Sequence, residues 1–273
     1  MLTLSQLYVY PIKSLAGISV ASARVTDRGL AHDRRYMLVT PQGQFITIRQ
    51  HPVLTRFRTA LHKEGGVSVD FEGSTLDLPA PAQHGPGGAL QVVVWDDTVR
   101  ARTVSDAADR WFTERLGVDC HLVYMPDASH RPVELREPRN AGILTSFADG
   151  YPFLLIGEAS MQDLNDRLAP ASPLDVVRFR PNIVCRGAAP YAEDGFGDFT
   201  INGIGFAAVK PCARCGVPNV DPVTAQVHAA GEPLATLSTY RKVGRKINFG
   251  VNLVHSGTGV LAVGDVIVRS TGG

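Results

Sequence analysis

KPCARCGVPNVDP, residues 210–222, puts two of the chain's four cysteines in a C-x-x-C spacing and follows them with N-V-D-P. How this stretch is read decides the fold and the function together. A structural zinc clip takes four Cys or His ligands, commonly two such pairs, and here there is one pair. A thioredoxin-like dithiol needs its first cysteine at a helix N-terminus, yet GVPNVDPVT carries two prolines and reads as loop and turn. A third reading is one thiolate ligand with an idle neighbour, and a fourth is two ordinary cysteines in a turn. Lys210 and Arg214 flank the pair, and adjacent cations favour the metal-binding thiolate. A soft thiolate among cations suits a metal carried by an anionic cofactor better than a bare dication.

Outward from this motif the chain reads as short strands and tight turns. On the C-terminal side, PLATLSTYRKV is a short helix, and FGVNLVHSGTGVLAVGDVIVRS closes the chain as a β-hairpin. On the N-terminal side, DFTINGIGFAAV is a strand pair about Asn202-Gly203, a type I′ signal. VVRFRPNIVC reads as a strand, YPFLLIG as another, with EASMQDLNDRL a helix after it. The polar segment 127–140 is a linker or a loop lying over a site. SDAADRWFTERLG is a helix capped by Ser105 and stopped by Gly117. Earlier still, strands are paired about DD in LQVVVWDDTVRARTV, EGS in VSVDFEGSTLDLP and PQGQ in DRRYMLVTPQGQFITIR; LTLSQLYVYPI and GISVASARVTD are strands too. Trp95 and Trp111 read as core, Asp33 and Asp194 as turn or capping carboxylates, and His121, His130 and His228 take no role.

The 273 residues are 44% apolar and 19% charged, a globular composition long enough for one or two cores. Lys and Arg total 27 against 26 Asp and Glu, a net charge of +1, so nothing global points to nucleic acid or an anionic membrane. Four cysteines make no disulfide scaffold. There is no signal-peptide pattern, and no apolar run approaches membrane-spanning length. These features lead us to expect a cytoplasmic protein without a membrane anchor.

The ordered set YPIKSLAG, GLAHDRRYML, the T-x-R-x-x-P-x-L of ITIRQHPVL, SFADGYPFLLIGEASMQDLN, FRPNIV, YAEDG, VKPCARC with NVDP, PLATLSTYR and FGVNLV resembles the MOSC-domain proteins. Within them it is most similar to the branch of the mitochondrial amidoxime-reducing component and its bacterial relatives. The resemblance implies a mainly β (α+β) fold: an N-terminal β-barrel-like domain over 1–120, then a MOSC β-barrel domain with a few helices over 121–273. It implies a molybdenum–molybdopterin cofactor with Cys215 as metal ligand and catalytic residue, and Arg214 and Ala213 beside it; Ala213 stands where the family usually has serine. Cofactor-binding positions carry over onto Lys13, Ser14, Arg34, Arg180 and Asn182, and onto Asp149, Gly150 and Tyr151 in a loop that differs among relatives. Arg forks, Lys and hydroxyls suit the phosphate, and Asn suits the pterin edge. The implied activity is reduction of N-hydroxylated compounds. No C-x4-C-x2-C run is present and no cysteine follows Cys215, so electrons are expected from a separate ferredoxin or cytochrome with its reductase. The alternative is a non-catalytic carrier of the cofactor or its sulfur.

Overall fold

The structure, a computed structural model, describes residues 1–84, 87–133, 142–168 and 173–270. It is mainly β, with three α-helices among the described residues. The largest sheet runs in the order Ile267–Arg269, Asp198–Ile201, Ile204–Ala213, Lys246–Ser256, Phe153–Gly157, Ile183–Arg186, Thr3–Val9, Ile18–Ser19, with Lys242–Val243 added to Lys246–Ser256. A second sheet orders Tyr36–Val39, His121–Tyr124, Asp97–Thr103 and Ala89–Val94. Two three-stranded sheets complete the fold: Gly259–Ala262 with Ser22–Thr26 and Gly29–Leu30, and Arg58–Leu61 with Val67–Phe71 and Ser74–Leu78.

The sheets cross residue 120. Thr3–Val9 pairs with Ile183–Arg186, and Ser22–Thr26 with Gly259–Ala262, so the chain start is built into the C-terminal sheets. His121–Tyr124 in turn pairs with Tyr36–Val39. The division into 1–120 and 121–273 is kept as a proposal about sequence regions. Two of the cores also draw on both sides of residue 120. Leu4, Leu7 and Val9 pack with Phe153, Phe199, Phe206 and Leu253, while Leu38, Phe57, Val69, Phe112 and Leu122 form the other. Burial of such side chains, roughly 1.5–3 kcal/mol each, is the main force holding the sheets together.

Several local signals act as read. Ser105 Oγ accepts from Ala108 N at 3.1 Å at the start of helix Asp106–Leu116, and Gly117 ends it at φ +70°. Asn202 and Gly203 both have positive φ in a type I′ turn. The parallel strands Phe153–Gly157 and Ile183–Arg186 need a crossover, and helix Glu158–Leu168 lies within it. The YAEDG motif ties this unit down. Buried Glu193 accepts from Gly157 N at 2.9 Å and Ser160 Oγ at 2.7 Å, and Asp194 pairs with Arg241.

Four expectations are corrected. VVRFRPNIVC is not one strand: Asp175 caps a 3₁₀ turn at Val176–Phe179, Arg180 turns left-handed at φ +57°, and only Ile183–Arg186 is extended. The closing hairpin does not form. Both edges of Lys246–Ser256 are occupied, by Ile204–Ala213 and Phe153–Gly157, so Gly259–Ala262 pairs with Ser22–Thr26 and Ile267–Arg269 with Asp198–Ile201. After PQGQ no second strand follows Tyr36–Val39, because Phe45 N is spent on Val93 O, at 3.3 Å, and only a single bridge returns to Val39. The turn between Ala89–Val94 and Asp97–Thr103 is Trp95-Asp96, with Trp95 at φ +56°. That turn lifts Trp95 out of the core to 39% exposure. Of segment 127–140, residues 134–140 lie outside the described residues.

Candidate functional site

A cleft lined by residues from both sides of residue 120 opens to solvent, with about 900 Å³ of empty space in and before it. Lys13, Ser14, Arg34, Asp149, Gly150, Tyr151, Arg180, Asn182, Ala213, Arg214 and Cys215 all line it, so the structure brings together every position the resemblance singled out. Among the described residues, five lining cations, Lys13, Arg34, Arg49, Arg180 and Arg214, face a single lining carboxylate, Asp149. Such a surplus in a partly enclosed space attracts an anion.

Tyr10 organises two of these cations. The Arg34 and Arg180 guanidiniums stack on its ring at 4.2 and 4.3 Å. Arg34 also donates to Asp33 Oδ2 at 2.6 Å, to Asn182 Oδ1 at 3.0 Å and to the Arg180 carbonyl at 3.1 Å. Asp33, 3% exposed, accepts from Tyr10 N at 2.9 Å as well. It is therefore the anchor of Arg34, more than a turn carboxylate. Burial, then the neighbouring Arg34, pulls Arg180 down to about 10.

Asn182 is buried and bonded within the protein. Its Oδ1 accepts from Arg34 and Leu154 N, and its Nδ2 donates to Tyr8 O at 3.3 Å. The amide holds Arg34 in position through Oδ1, and one of its two Nδ2 hydrogens goes to Tyr8 O.

Lys13, 7% exposed, donates to Phe147 O at 2.8 Å and Asp149 Oδ1 at 2.6 Å. Burial lowers its pKa, and Asp149 partly offsets this. The crowding of Asp149 by protein would raise its carboxyl, but the Lys13 ammonium and the Trp95 Nε1–H at 3.1 Å outweigh it and hold the carboxylate below the usual range. The loop carrying Asp149 is set from behind by Arg131, 2% exposed. Arg131 donates to the carbonyls of Ser146 (2.8 Å), Ala148 and Asp149 (3.0 Å) and to Asp97 at 2.8 Å. The described part of segment 127–140 thus buttresses the site loop.

The backbone is strained around the cleft. Ser14, Arg34, Trp95 and Arg180 have φ of 73°, 47°, 56° and 57°, each costing roughly 1–2 kcal/mol for a residue with a Cβ. Such outliers concentrate where structure over-determines them for function.

The cysteine loop is equally fixed. Ile204–Ala213 pairs with Lys246–Ser256 through two register shifts around Lys210 and Pro211, where the proline has no N–H to give. Arg214 N donates to Ile247 O at 2.8 Å, and its guanidinium to Phe179 O at 2.6 Å and Cys212 Sγ at 3.0 Å. Arg178 then grips Asp221 of N-V-D-P at 2.5 Å. Cys212 packs against the apolar cluster of Phe179, Leu237 and Phe249, whereas Cys215 is exposed in the cleft wall. Arg214 therefore attends Cys212. All four cysteines are free thiols. Among the described residues no three His, Cys, Asp or Glu side chains converge as metal ligands.

Sequence reasoning missed Thr47, Arg49 and Trp95 in the lining, and Asp33, Tyr10 and Arg131 behind it. Thr47 and Arg49 stood in the quoted T-x-R. Trp95, at the end of an apolar run, carried no sign that the turn would expose it.

Comparison with known proteins identifies the family of the chain. Residues 1–119 match the MOSC N-terminal beta barrel domain and residues 144–268 the MOSC domain. The chain is 31% identical to human mitochondrial amidoxime-reducing component 1, over 97% of this chain and 82% of that protein. It is also 31% identical to the tomato molybdenum cofactor sulfurase, over 92% of this chain but only 33% of that protein, so it spans about a third of the sulfurases it matches. A solved structure, the YUAD protein of Bacillus subtilis, aligns over 98% of this chain and 94% of its own at 8% identity with a TM-score of 0.43. This chain belongs to the MOSC family, joining a MOSC N-terminal β-barrel domain to a MOSC domain.

Proposed function

We propose that the cleft holds a molybdenum–molybdopterin cofactor with Cys215 as the protein's metal ligand, and that the loaded chain reduces amidoximes, hydroxylamines and N-hydroxylated bases with electrons from a separate donor protein. One observation carries the reading: a single exposed thiol, without protein co-ligands among the described residues, shares a cleft with five cations and one carboxylate. This donor set fits the group. A phosphate needs the cations, and a metal whose other ligands come from a dithiolene needs only one cysteine.

When bound, the cofactor supplies the two-electron removal of oxygen from the N–O bond. The chain's own residues bind and orient. Lys13 has three N–H donors and spends two on Phe147 O and Asp149, leaving one for a phosphate oxygen. Arg180 spends Nη1 on Leu15 O at 2.7 Å and offers its other donors. Arg34 is held for the same anion by Asp33 and Asn182. Arg214 donates to Cys212 Sγ at 3.0 Å, which would leave Cys215 as the sulfur to hold the metal. The human relative, 82% of whose length is matched, is named for reducing amidoximes.

Tomato, rice and Arabidopsis relatives are named as sulfurases of the cofactor, which supports a second reading: a carrier that holds the cofactor without turnover. Protein made in a cofactor-competent host separates the two. The reductase reading expects bound molybdenum and conversion of benzamidoxime to benzamidine with reduced viologen, both lost in Cys215→Ser and largely kept in Cys212→Ser. Equal, severe loss in both variants would point to a dithiol or zinc site. Molybdenum-replete protein inert towards all three N-hydroxylated classes leaves the carrier.

A further inference from the structure

Beside the cysteine loop the largest sheet ends in a basic tip. Lys242 pairs with Ile247 and Val243 with Lys246, closing a hairpin over Gly244-Arg245. Gly244 has φ +59° at the first central position, where a two-residue hairpin of type II′ calls for glycine. Lys242, Arg245 and Lys246 are exposed, and none has an ion-pair partner among the described residues. Their neighbour Arg241, by contrast, is tied to Asp194. Amid these cations stands Val243, 69% exposed.

The tip is close to the proposed metal ligand. Ile247 accepts from Arg214 N at 2.8 Å on one side and faces Lys242 on the other. Lys242 thus lies two strand spacings, about 10 Å, from the backbone of Arg214, and Cys215 is the next residue. An exposed apolar side chain paired with Lys246 and flanked in the chain by Lys242 and Arg245 has the make-up of a small docking patch, an apolar contact among charges. Charges of this kind act mainly by steering the encounter.

We propose that this tip docks a small electron-carrier protein with an acidic face, which delivers electrons to the cleft; the inference rests on the reductase reading above. Reducing one N–OH group to N–H with release of water consumes two electrons and two protons. Two one-electron carriers therefore dock in turn and leave oxidised, and solvent supplies the protons.

The test combines Lys242→Glu, Arg245→Glu and Lys246→Glu in the molybdenum-loaded full chain, with the triple Gln variant as a milder partner. Benzamidoxime turnover is measured with reduced methyl viologen and with plant-type ferredoxin or cytochrome b5 and their reductases. Binding of each oxidised carrier is measured by calorimetry. With the Glu variant the viologen rate stays within about twofold of wild type, while the KM for the carrier rises at least about tenfold at low salt. The gap closes as salt shortens the Debye length below about 10 Å, and the Gln variant falls between. Unchanged carrier KM and binding, or viologen and carrier rates falling together, overturns the proposal. Transfer of the effect from the carriers to anionic lipid vesicles overturns it too. Absence of viologen turnover in the wild type falls on the reductase reading, and the calorimetry then still decides whether the tip binds an acidic carrier.

Discussion

A Cβ placed on Gly17 would lie 2.3 Å from Cε1 of Tyr10. The glycine of YPIKSLAG therefore admits the ring on which Arg34 and Arg180 both stack. Tyr10 is 1% exposed and cannot simply swing away. Gly17→Ala should cost about 1–3 kcal/mol through overpacking and should lower cofactor occupancy by displacing both guanidiniums. Urea unfolding and pterin released per chain measure the two effects, and an unchanged occupancy would mean the ring does not place the cations.

Arg180 combines a cation with a left-handed backbone at φ +57°. Arg180→Ala and Arg180→Gly should both weaken cofactor retention, roughly 10- to 150-fold for the loss of one charge-assisted contact of about 1.5–3 kcal/mol. The glycine variant should be the more stable of the two by about 1 kcal/mol, since only the alanine keeps the Cβ strain. Thermal unfolding of the cofactor-free proteins makes the comparison.

Trp95 is one of two tryptophans. It stands in the cleft against Arg49, at 4.4 Å from the ring centre, and Asp149. Trp111 packs in the N-terminal core and donates to Ser74 Oγ at 3.2 Å. Loading with the pterin should quench the protein's fluorescence through Trp95. Trp95→Phe should abolish that change and Trp111→Phe should preserve it. A quench that survives in Trp95→Phe would place the cofactor elsewhere.

His255, 7% exposed, bonds Thr26 O at 2.6 Å through Nε2, and its Nδ1 is buried without a partner. Burial lowers its pKa from the usual 6.5, with the Thr26 carbonyl opposing. The folded state thus takes up its proton at lower pH than the unfolded chain. The contribution is complete above pH 6.5 and falls away as the pH drops from 6.5 to the lowered folded value. Across that window the wild type should lose melting temperature more steeply than His255→Gln. Parallel curves would remove His255 as the cause.

The helices, the type I′ turn at Asn202-Gly203 and the Ser105 cap were legible because each depends on neighbours within a few residues. The cleft-lining residues Lys13, Arg34, Arg180 and Cys215 could be named from the order of the motifs, but not placed together. Three-dimensional structure decided the rest. Both edges of Lys246–Ser256 are filled by strands distant in sequence, so the closing hairpin signal was overruled by backbone hydrogen bonds it could not register. Arg180 left its strand because a capped 3₁₀ turn and Tyr10 hold it. Asp33 gained its meaning from Arg34 and Asn182 across the cleft. By itself the sequence determined the local caps and the Asn202-Gly203 turn, and which charges and thiols are present. Only the tertiary structure decided which strand edges are free and which charges meet, since both depend on contacts between segments up to more than a hundred residues apart, such as Arg34 with Asn182.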